Sequence, residues 1–156
     1  MIHFFIGHNL NGMEKVTQDS GELTLLAKGG GTEVMVQKIH PDRIFSIYPS
    51  EHSGVMEFFF VVDGSITTEV NGELKHIEKG NYFYVYDLQE VVTLKTQTEA
   101  TLLYISSFPM FYLLSNQIRE MTRIVEQVEA KDYYTHNHSS RVQIYSIKIA
   151  EKLHLS

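Results

Sequence analysis

The sequence predicts an all-β barrel or sandwich with a helical extension at its C-terminal end. Between residues 33 and 107, short strand-like runs alternate with turn signals at an even spacing, which is typical of barrels and sandwiches. Asp63-Gly64 and Asn71-Gly72 are dipeptides that supply the positive φ of tight hairpin turns. After Pro109 the hydrophobic period changes to that of an amphipathic helix.

The barrel strands are predicted from runs that are rich in β-branched and aromatic residues. These runs cover residues 34–36, 44–48, 57–62, 65–70, 73–77, 82–86, 91–94 and 100–105. The run Phe58-Phe59-Phe60-Val61-Val62 does not alternate between apolar and polar residues. Both faces of that strand are therefore expected to be covered, one by the barrel interior and the other by another layer or subunit.

Residues 1–32 are predicted to form N-terminal strands that pack on the barrel. Their short apolar runs, at residues 4–6 and 23–26, are separated by asparagine and glycine. The run Gly29-Gly30-Gly31 is interpreted as a turn between strands. A phosphate-binding loop would be followed by a helix pattern or a Lys-Ser/Thr pair, and neither follows here.

Residues 108–131 are predicted to form a linking helix. Apolar residues at spacings of three and four define one face, namely Phe111, Leu114, Ile118, Met121, Val125 and Val128. This seam either packs on its own barrel or pairs with a second copy, and we favour a homodimer although the seam is short for a free coiled coil. A polar segment at residues 131–137 ends the helix, and a second helical stripe follows, with Val142, Tyr145, Ile149 and Leu153.

Charge and composition narrow the range of functions. The 156 residues carry a net charge of -6 and no Lys/Arg-rich stretch, so neither nucleic acid nor an anionic membrane surface is an expected partner. The sequence has no cysteine, no signal-peptide pattern and no apolar stretch long enough to cross a bilayer. A cytoplasmic location is the simplest expectation.

The segment from Pro49 to Glu57, followed by Gly64, resembles the first motif of the cupin family. In that family, two histidines one residue apart and a glutamate five residues after the second point inward and bind a divalent metal. His52, Glu57 and Gly64 match this motif, but Ser50 stands in place of the first histidine. The resemblance implies a cupin jelly-roll β-barrel for residues 33–107.

The second cupin motif is more strongly altered. Gly80 matches its first glycine, but the positions of its proline, second glycine, histidine and asparagine hold Tyr86, Leu88, Val91 and Lys95. Two of four family ligands remain, His52 and Glu57, whereas typical catalytic metal sites use three or more protein ligands. The resemblance therefore implies no tightly bound cofactor, and at most weak binding of a divalent metal that is completed by water.

The same resemblance implies a ligand pocket around Ser50, His52, Glu57, Tyr84 and Val91. An inward carboxylate at Glu57 needs a partner, and His52 is the expected one. In residues 82–86 an aromatic side chain occupies every second position, with tyrosine at 82, 84 and 86. These tyrosines line either the pocket or a subunit contact.

Residues 129–156 resemble the opening of an HD-GYP phosphohydrolase domain. The resemblance rests on Ala130-Lys131-Asp132 and, after an aromatic and a threonine, His138-Ser139-Ser140-Arg141-Val142. In that family the histidine before Ser-x-Arg-Val is a metal ligand, which implies this role for His138 only in a longer chain. The family's His-Asp pair and Gly-Tyr-Pro segment would lie beyond Ser156, so residues 132–156 are expected to be a truncated domain start without catalysis of their own.

These features lead to one main hypothesis and two alternatives. In the main hypothesis, the chain is the small-molecule-binding, sensory cupin domain of a longer metal-dependent phosphohydrolase of the cyclic dinucleotide phosphodiesterase type, and is not an enzyme by itself. The first alternative is a small metal-dependent cupin enzyme, an isomerase or dioxygenase, with extra ligands such as His40, Glu51 or Glu90. The second is the ligand-binding domain of a transcription regulator, although residues 119–128 and 142–155 offer no basic recognition helix.

Overall fold

The chain folds into two antiparallel β-sheets. The computed structural model describes residues 3–116, 120, 123, 124, 127, 146–151 and 153. One sheet has six strands in the order β1-β2-β3-β10-β5-β8, and the other has four in the order β4-β9-β6-β7. The strands are β1 (Glu14–Gln18), β2 (Gly21–Gly29), β3 (Thr32–Ile39), β4 (Ile44–Ile47), β5 (Met56–Asp63), β6 (Ser65–Val70), β7 (Glu73–Glu78), β8 (Tyr82–Tyr86), β9 (Val92–Thr96) and β10 (Ala100–Ser106).

The strands predicted within residues 33–107 are confirmed, with ends that differ by a few residues. The triple glycine closes the turn between β2 and β3, as predicted. Strand β1 was not foreseen, because Val16 is its one buried residue and its other side chains are polar or charged. It forms through backbone pairing with β2, in which Val16 lies opposite Leu23.

The core lies on the inner face of the six-stranded sheet and against the four-stranded sheet. Along β10 the side chains alternate between buried and half-buried, with Ala100, Leu102, Tyr104 and Ser106 inward. The rings of Phe83, Phe59 and Tyr104 form a stack, with centroid separations of 4.9 Å and 4.4 Å along it. The four-stranded sheet contributes the buried side chains of Ile47, Ile66, Leu94 and Thr96.

Only one of the two dipeptides predicted to form hairpin turns does so. Asn71 and Gly72, with φ values of 52° and 78°, join the paired strands β6 and β7 in a tight hairpin, as predicted. The hairpin predicted at Asp63-Gly64 is wrong, because β5 and β6 belong to different sheets. Gly64 is instead a corner at which the chain passes from one sheet to the other, with φ of 89° and the Glu99 carbonyl so close that a Cβ would lie 2.2 Å from its oxygen.

The outer face of the six-stranded sheet carries an apolar surface that we call the tyrosine face. It comprises Phe58, Phe60, Tyr82, Tyr84, Tyr86, Leu103 and Ile105, which lie on the adjacent strands β5, β8 and β10. Tyr82 and Tyr84 are 63% and 60% exposed, whereas Phe58 and Phe60 are half-buried. Because successive side chains of a strand point to opposite faces, the tyrosines of β8 point outward and Phe83 and Val85 point inward.

The chain divides into two compact units, Met1–Phe111 and Tyr112–Ser156. A helix begins at residue 111, within the region where the linking helix was predicted. Most of the apolar seam, from Ile118 onward, lies outside the described residues, as does His138. In the described part of the second unit, residues 146–151 are helical. No helix in the described part of the chain is long and apolar enough to cross a membrane.

Candidate functional site

A buried carboxylate and a buried phenol form the centre of the candidate site. Glu57 lies on β5, points inward and is only 5% exposed, and its Oε1 accepts a hydrogen bond from the Tyr104 hydroxyl. Ser106 lies directly opposite Glu57 across the β5–β10 pair, and Tyr104 is the next inward residue along β10. Diagonal neighbours of this kind share one face of an antiparallel pair and are within reach of an aromatic side chain.

Burial governs the protonation of this pair. It raises the pKa of Glu57 above the ordinary value, and the hydrogen bond from Tyr104 opposes this rise only in part. The pKa of Tyr104 lies well above its usual range because the ring is buried, and because Glu57 and Glu33 place negative charge nearby. Tyr104 therefore stays a neutral hydrogen-bond donor, while Glu57 is a weakened acid held in an apolar environment.

The predicted partner of Glu57 was His52, and this prediction is wrong. The His52 ring instead stacks on Phe108, with ring centroids 4.3 Å apart and planes 30° from parallel. His52 lies in the loop before β5, whereas Tyr104 is on the strand that pairs with β5. Strand pairing therefore brings the phenol to the carboxylate. The imidazole faces the chain segment that leaves β10.

Ser50 shapes the loop that carries His52. Its Oγ accepts a hydrogen bond from the backbone N–H of His52 at 3.1 Å. Farther along, the N–H of Gly54 donates to Asp87 Oδ1 at 3.0 Å and the N–H of Met56 donates to Ser107 Oγ at 2.8 Å. The loop is thus tied to the ends of β8 and β10 and leads directly to Glu57.

Tyr84 and Val91 are not brought together with Glu57. Tyr84 lies on the tyrosine face, on the side of the sheet away from the core, because it pairs with Phe58 rather than with an inward residue. Val91 precedes β9 and is 46% exposed. The inward positions of β9 are filled instead by Leu94 and Thr96, which are buried.

The donors present do not fit a tightly held divalent metal. Among the described residues, no three His, Asp or Glu side chains come close enough together to hold one. Of the extra ligands considered, His40 faces Glu99 at 3.7 Å on the surface, and Glu51 and Glu90 are exposed. Glu57 is already engaged by Tyr104, and the altered motif supplies serine at position 50, which is a poor ligand for Fe, Mn, Ni or Zn.

A second buried carboxylate lies across β10 from the first. Glu33 on β3 is 2% exposed and lies opposite Ser106, so Ser106 is flanked by Glu33 on one side and Glu57 on the other. Glu33 Oε2 accepts hydrogen bonds from the backbone N–H groups of Met110 at 2.8 Å and Phe111 at 2.7 Å. The carboxylate satisfies donors that the first turn of a helix leaves unpaired, and its charge suits a helix N-terminus.

Sequence reasoning missed Glu33, Tyr104, Ser106 and Phe108. A usable signal was present in residues 100–106, where alternation puts Tyr104 and Ser106 on the same side as Ala100 and Leu102. A phenol on a buried face needs a hydrogen-bond partner, and an inward glutamate on a neighbouring strand is a suitable one. The pairing of β5 with β10, which local patterns do not disclose, was the missing step.

A surface cavity of about 300 Å³ lies elsewhere, around the turn between β7 and β8. His76, Ile77, Gly80, Asn81 and Tyr82 line it. None of the residues predicted for the ligand pocket contributes to it. Its lining side chains are mostly exposed, and it is separate from the buried Glu57–Tyr104 pair.

Comparison with known proteins identifies the fold. No protein-family model matches the chain, and no curated protein matches it in sequence. Ectoine synthase from P. lautus is similar in structure, with a TM-score of 0.57 and 16% identity over 68% of this chain and 79% of that one. The cupin domain of Schizosaccharomyces pombe Cnp3 has a TM-score of 0.50 and 18% identity over 74% of this chain and 80% of that one.

An HTH_3 family transcriptional regulator from Vibrio cholerae is also similar, with a TM-score of 0.52 and 16% identity over 64% of this chain. The match spans 58% of the length of that regulator. Enzymes and regulators thus share this architecture, and identities this low bear on the fold alone. The chain has the all-β cupin jelly-roll fold.

Proposed function

We propose that the barrel is a regulatory module that binds a small molecule beside Ser50, His52 and Glu57 and reports its occupancy to the helix that begins at residue 111. The observation that carries this proposal is the double hydrogen bond from Met110 and Phe111 to the buried Glu33. It fixes the start of the helix to an inward side chain of the barrel.

The proposed route crosses a single strand. Glu57 on β5 and Glu33 on β3 lie opposite Ser106 on the two sides of β10, and Tyr104 is the next inward residue along β10. A ligand that moves the loop at His52 or competes for the Glu57 carboxylate would alter the Tyr104 hydrogen bond. Because Glu33 contributes to the electrostatic environment of Tyr104, the change would reach the carboxylate that holds Met110 and Phe111. The ligand would act by binding one arrangement of these groups more tightly than the other, and the shift in their equilibrium is limited by that difference in affinity.

Catalysis is not part of this proposal. Among the described residues no further ligands join His52 and Glu57 in a catalytic metal site, and the imidazole stacks on Phe108. The stacked rings of Phe83, Phe59 and Tyr104 occupy the interior beside Glu57. Both features argue against a site that activates water or dioxygen.

The proposal is tested by hydrogen exchange on the full chain. Tyr104→Phe removes the donor to Glu57 without touching Glu33, and we expect faster exchange at the amides of Met110 and Phe111. Tyr84→Phe, which removes an exposed hydroxyl, is the matched control. Unchanged exchange at both amides in the folded Tyr104→Phe variant would contradict coupling between the pair and the helix.

Ligand binding is tested separately with a defined library of sugars, amino acids and small organic acids in a thermal-unfolding screen. A compound that raises the midpoint should also change exchange at residues 50–57 and at Met110 and Phe111. Binding that changes neither segment would place the ligand elsewhere, for example at the cavity near His76. That result would overturn the proposed pocket.

We further propose that this module belongs to a signalling phosphohydrolase with an HD-type domain. The support is the sequence around His138, whose structure lies outside the described residues. A His-Asp pair and a Gly-Tyr-Pro segment in the coding sequence that follows Ser156 would support this assignment. A stop codon directly after Ser156 would contradict it.

A metal-dependent cupin enzyme is the second candidate. The observation that favours it is the raised pKa of Glu57, since buried carboxylates with raised pKa values serve as general acids or bases in many enzymes. This candidate requires near-stoichiometric iron, manganese, nickel or zinc in the purified protein, measured by elemental analysis. A regulator role of the kind named for the Vibrio cholerae protein would require a DNA-binding segment, which the described residues do not contain.

A further inference from the structure

The tyrosine face presents a large apolar surface on the outside of the six-stranded sheet. Register places Phe58 opposite Tyr84 and Phe60 opposite Tyr82, and the same two phenylalanines lie opposite Ile105 and Leu103 on β10. The rings of Phe58 and Tyr82 also stack, with centroids 5.6 Å apart. The face is therefore one continuous layer of packed side chains rather than scattered exposed residues.

The sequence of β5 predicts that another surface packs on this face. Phe58 to Val62 is an unbroken apolar run, the pattern of a strand that is buried on both sides. Phe59 and Val61 fill the barrel interior, as that pattern requires. Phe58 and Phe60, however, are only half-buried, and the tyrosines beside them are mostly exposed. The run is thus fully explained only if another surface packs over the outer side.

The exposed area of the face is a substantial part of what a stable interface requires. With roughly 200 Å² for a fully exposed aromatic side chain, Tyr82, Tyr84 and Tyr86 leave on the order of 400 Å² in contact with water. The half-buried residues of the face add to this area. A standard protein interface buries about 800 Å² on each partner, so the tyrosines alone would supply about half of one side. On a typical soluble monomer the largest exposed apolar patch is about 300–600 Å² and is often functional.

The chemistry of the face suits a second copy of the same chain. Its seven side chains include no charged group, although the chain has a net charge of -6. This face can therefore meet a second copy of itself without like-charge contact. Aromatic side chains with a polar hydroxyl are also the type enriched at protein interfaces. In addition, β8 is the terminal strand of its sheet, and its outer edge carries no strand partner among the described residues.

We propose that two copies of this chain associate through their tyrosine faces, in a two-fold arrangement that buries Tyr82, Tyr84 and Tyr86 together with Phe58 and Phe60. In this dimer each β5 is covered on both sides, by its own barrel interior and by the partner. The interface is formed by the barrel itself and does not require the helical seam that starts at Phe111. The inference is also independent of ligand binding at His52 and Glu57.

The test is sedimentation velocity of the full chain over a range of concentrations. Wild-type chain should be dimeric at micromolar concentration. Tyr84→Arg, which puts a charge at the centre of the face, should raise the dimer dissociation constant roughly 30-fold or more, as truncation of a central anchor does. Leu74→Arg is the matched control, because Leu74 is 63% exposed on β7 of the other sheet, and it should leave the dimer unchanged.

A monomeric wild-type chain would overturn the proposal, and so would a dimer that persists unchanged in Tyr84→Arg. If Tyr84→Arg does not fold, hydroxyl-radical footprinting of the wild-type chain gives the answer without a substitution. Tyr82, Tyr84 and Tyr86 should gain protection as the concentration rises, whereas Leu74 should not. Protection that is independent of concentration would show a cover from within the chain, and constant exposure would show no cover. Either result would overturn the proposal.

Discussion

The hydroxyl of Tyr104 donates a hydrogen bond to the carboxylate of Glu57, and both groups are buried on the inner face of the six-stranded sheet. The bond links β10 to β5 through side chains, in addition to the backbone pairing of the two strands. It satisfies the two polar groups that would otherwise be most costly to bury at this level of the barrel. Removal of this hydrogen bond should therefore lower the free energy of unfolding.

Tyr104→Phe should lower the free energy of unfolding by about 1–3 kcal/mol, because it leaves the Glu57 carboxylate buried without its donor. Urea unfolding at neutral pH measures the change. Tyr84→Phe removes an exposed hydroxyl from the same kind of side chain and should alter stability by less than about 0.5 kcal/mol. Equal effects of the two substitutions would argue against the importance of the Glu57–Tyr104 bond.

The raised pKa of Glu57 predicts a pH dependence of stability. In the folded chain this carboxyl keeps its proton to a higher pH than the ordinary value of 4.5 in the unfolded chain. Between the two pKa values the folded chain binds more protons, so the free energy of unfolding falls as pH rises through that window. The penalty is absent below the unfolded pKa and fully present above the folded one.

Glu57→Gln removes this ionisation and keeps an oxygen that can accept from Tyr104. The stability of the variant relative to wild type should therefore increase when the pH is raised from about 4 to about 7. Urea unfolding of both proteins at several pH values measures the difference. Glu73→Gln, at an exposed position on β7, is the control, and its stability relative to wild type should show no comparable trend. A flat difference for Glu57→Gln would contradict the raised pKa.

Glu33→Ala should destabilise the chain by roughly 1–3 kcal/mol, because the N–H groups of Met110 and Phe111 lose their shared acceptor. Hydrogen exchange at these two amides should accelerate, and Glu33→Gln, which retains an acceptor oxygen, should restore part of the protection. Glu73→Ala breaks an exposed ion pair with Lys75 and should cost less than about 1 kcal/mol. If exchange at both amides is the same in Glu33→Ala and wild type, the carboxylate does not hold the helix start.

Gly64→Ala and Gly72→Ala form a matched pair, since both glycines have positive φ. Alanine at position 72 would meet no atom within 4 Å and should incur only the conformational cost of about 1–2 kcal/mol. Alanine at position 64 would lie 2.2 Å from the Glu99 carbonyl oxygen and 2.7 Å from the Cα of Ala100. Gly64→Ala should therefore lose a further 1–3 kcal/mol, roughly the cost of overpacking. Equal losses of stability in the two variants, measured by thermal or urea unfolding, would show that the backbone around position 64 accommodates a Cβ without additional cost.

Local patterns in the sequence were enough to predict most strands but not their pairing. The β-branched and aromatic composition located β5, β6 and β8 closely. The Asp63-Gly64 dipeptide satisfied every local criterion of a hairpin and still joined strands of different sheets. The reason is that a turn dipeptide determines only the local backbone conformation, whereas the pairing of strands depends on packing between residues that are far apart in the sequence.

The dependence on strand pairing also explains which residues of the candidate site could not be predicted from the sequence. The cupin resemblance drew attention to Glu57, which is indeed buried, and burial raises its pKa. Its partner Tyr104 lies 47 residues away, and only the placement of β10 beside β5 brings it within reach. Tyr84 was assigned to the pocket without knowledge of parity, and a shift of one residue along a strand moves a side chain to the opposite face.

The position of β10 also bears on the synthesis of the protein. β10 is the last strand of the barrel and lies between β3 and β5, so neither of these inner strands has its full set of neighbours until residues 100–106 have left the ribosome. A nascent chain that ends earlier would expose two hydrophobic strand edges, which are prone to pair with other chains. Closure of the barrel must therefore follow translation of its final strand.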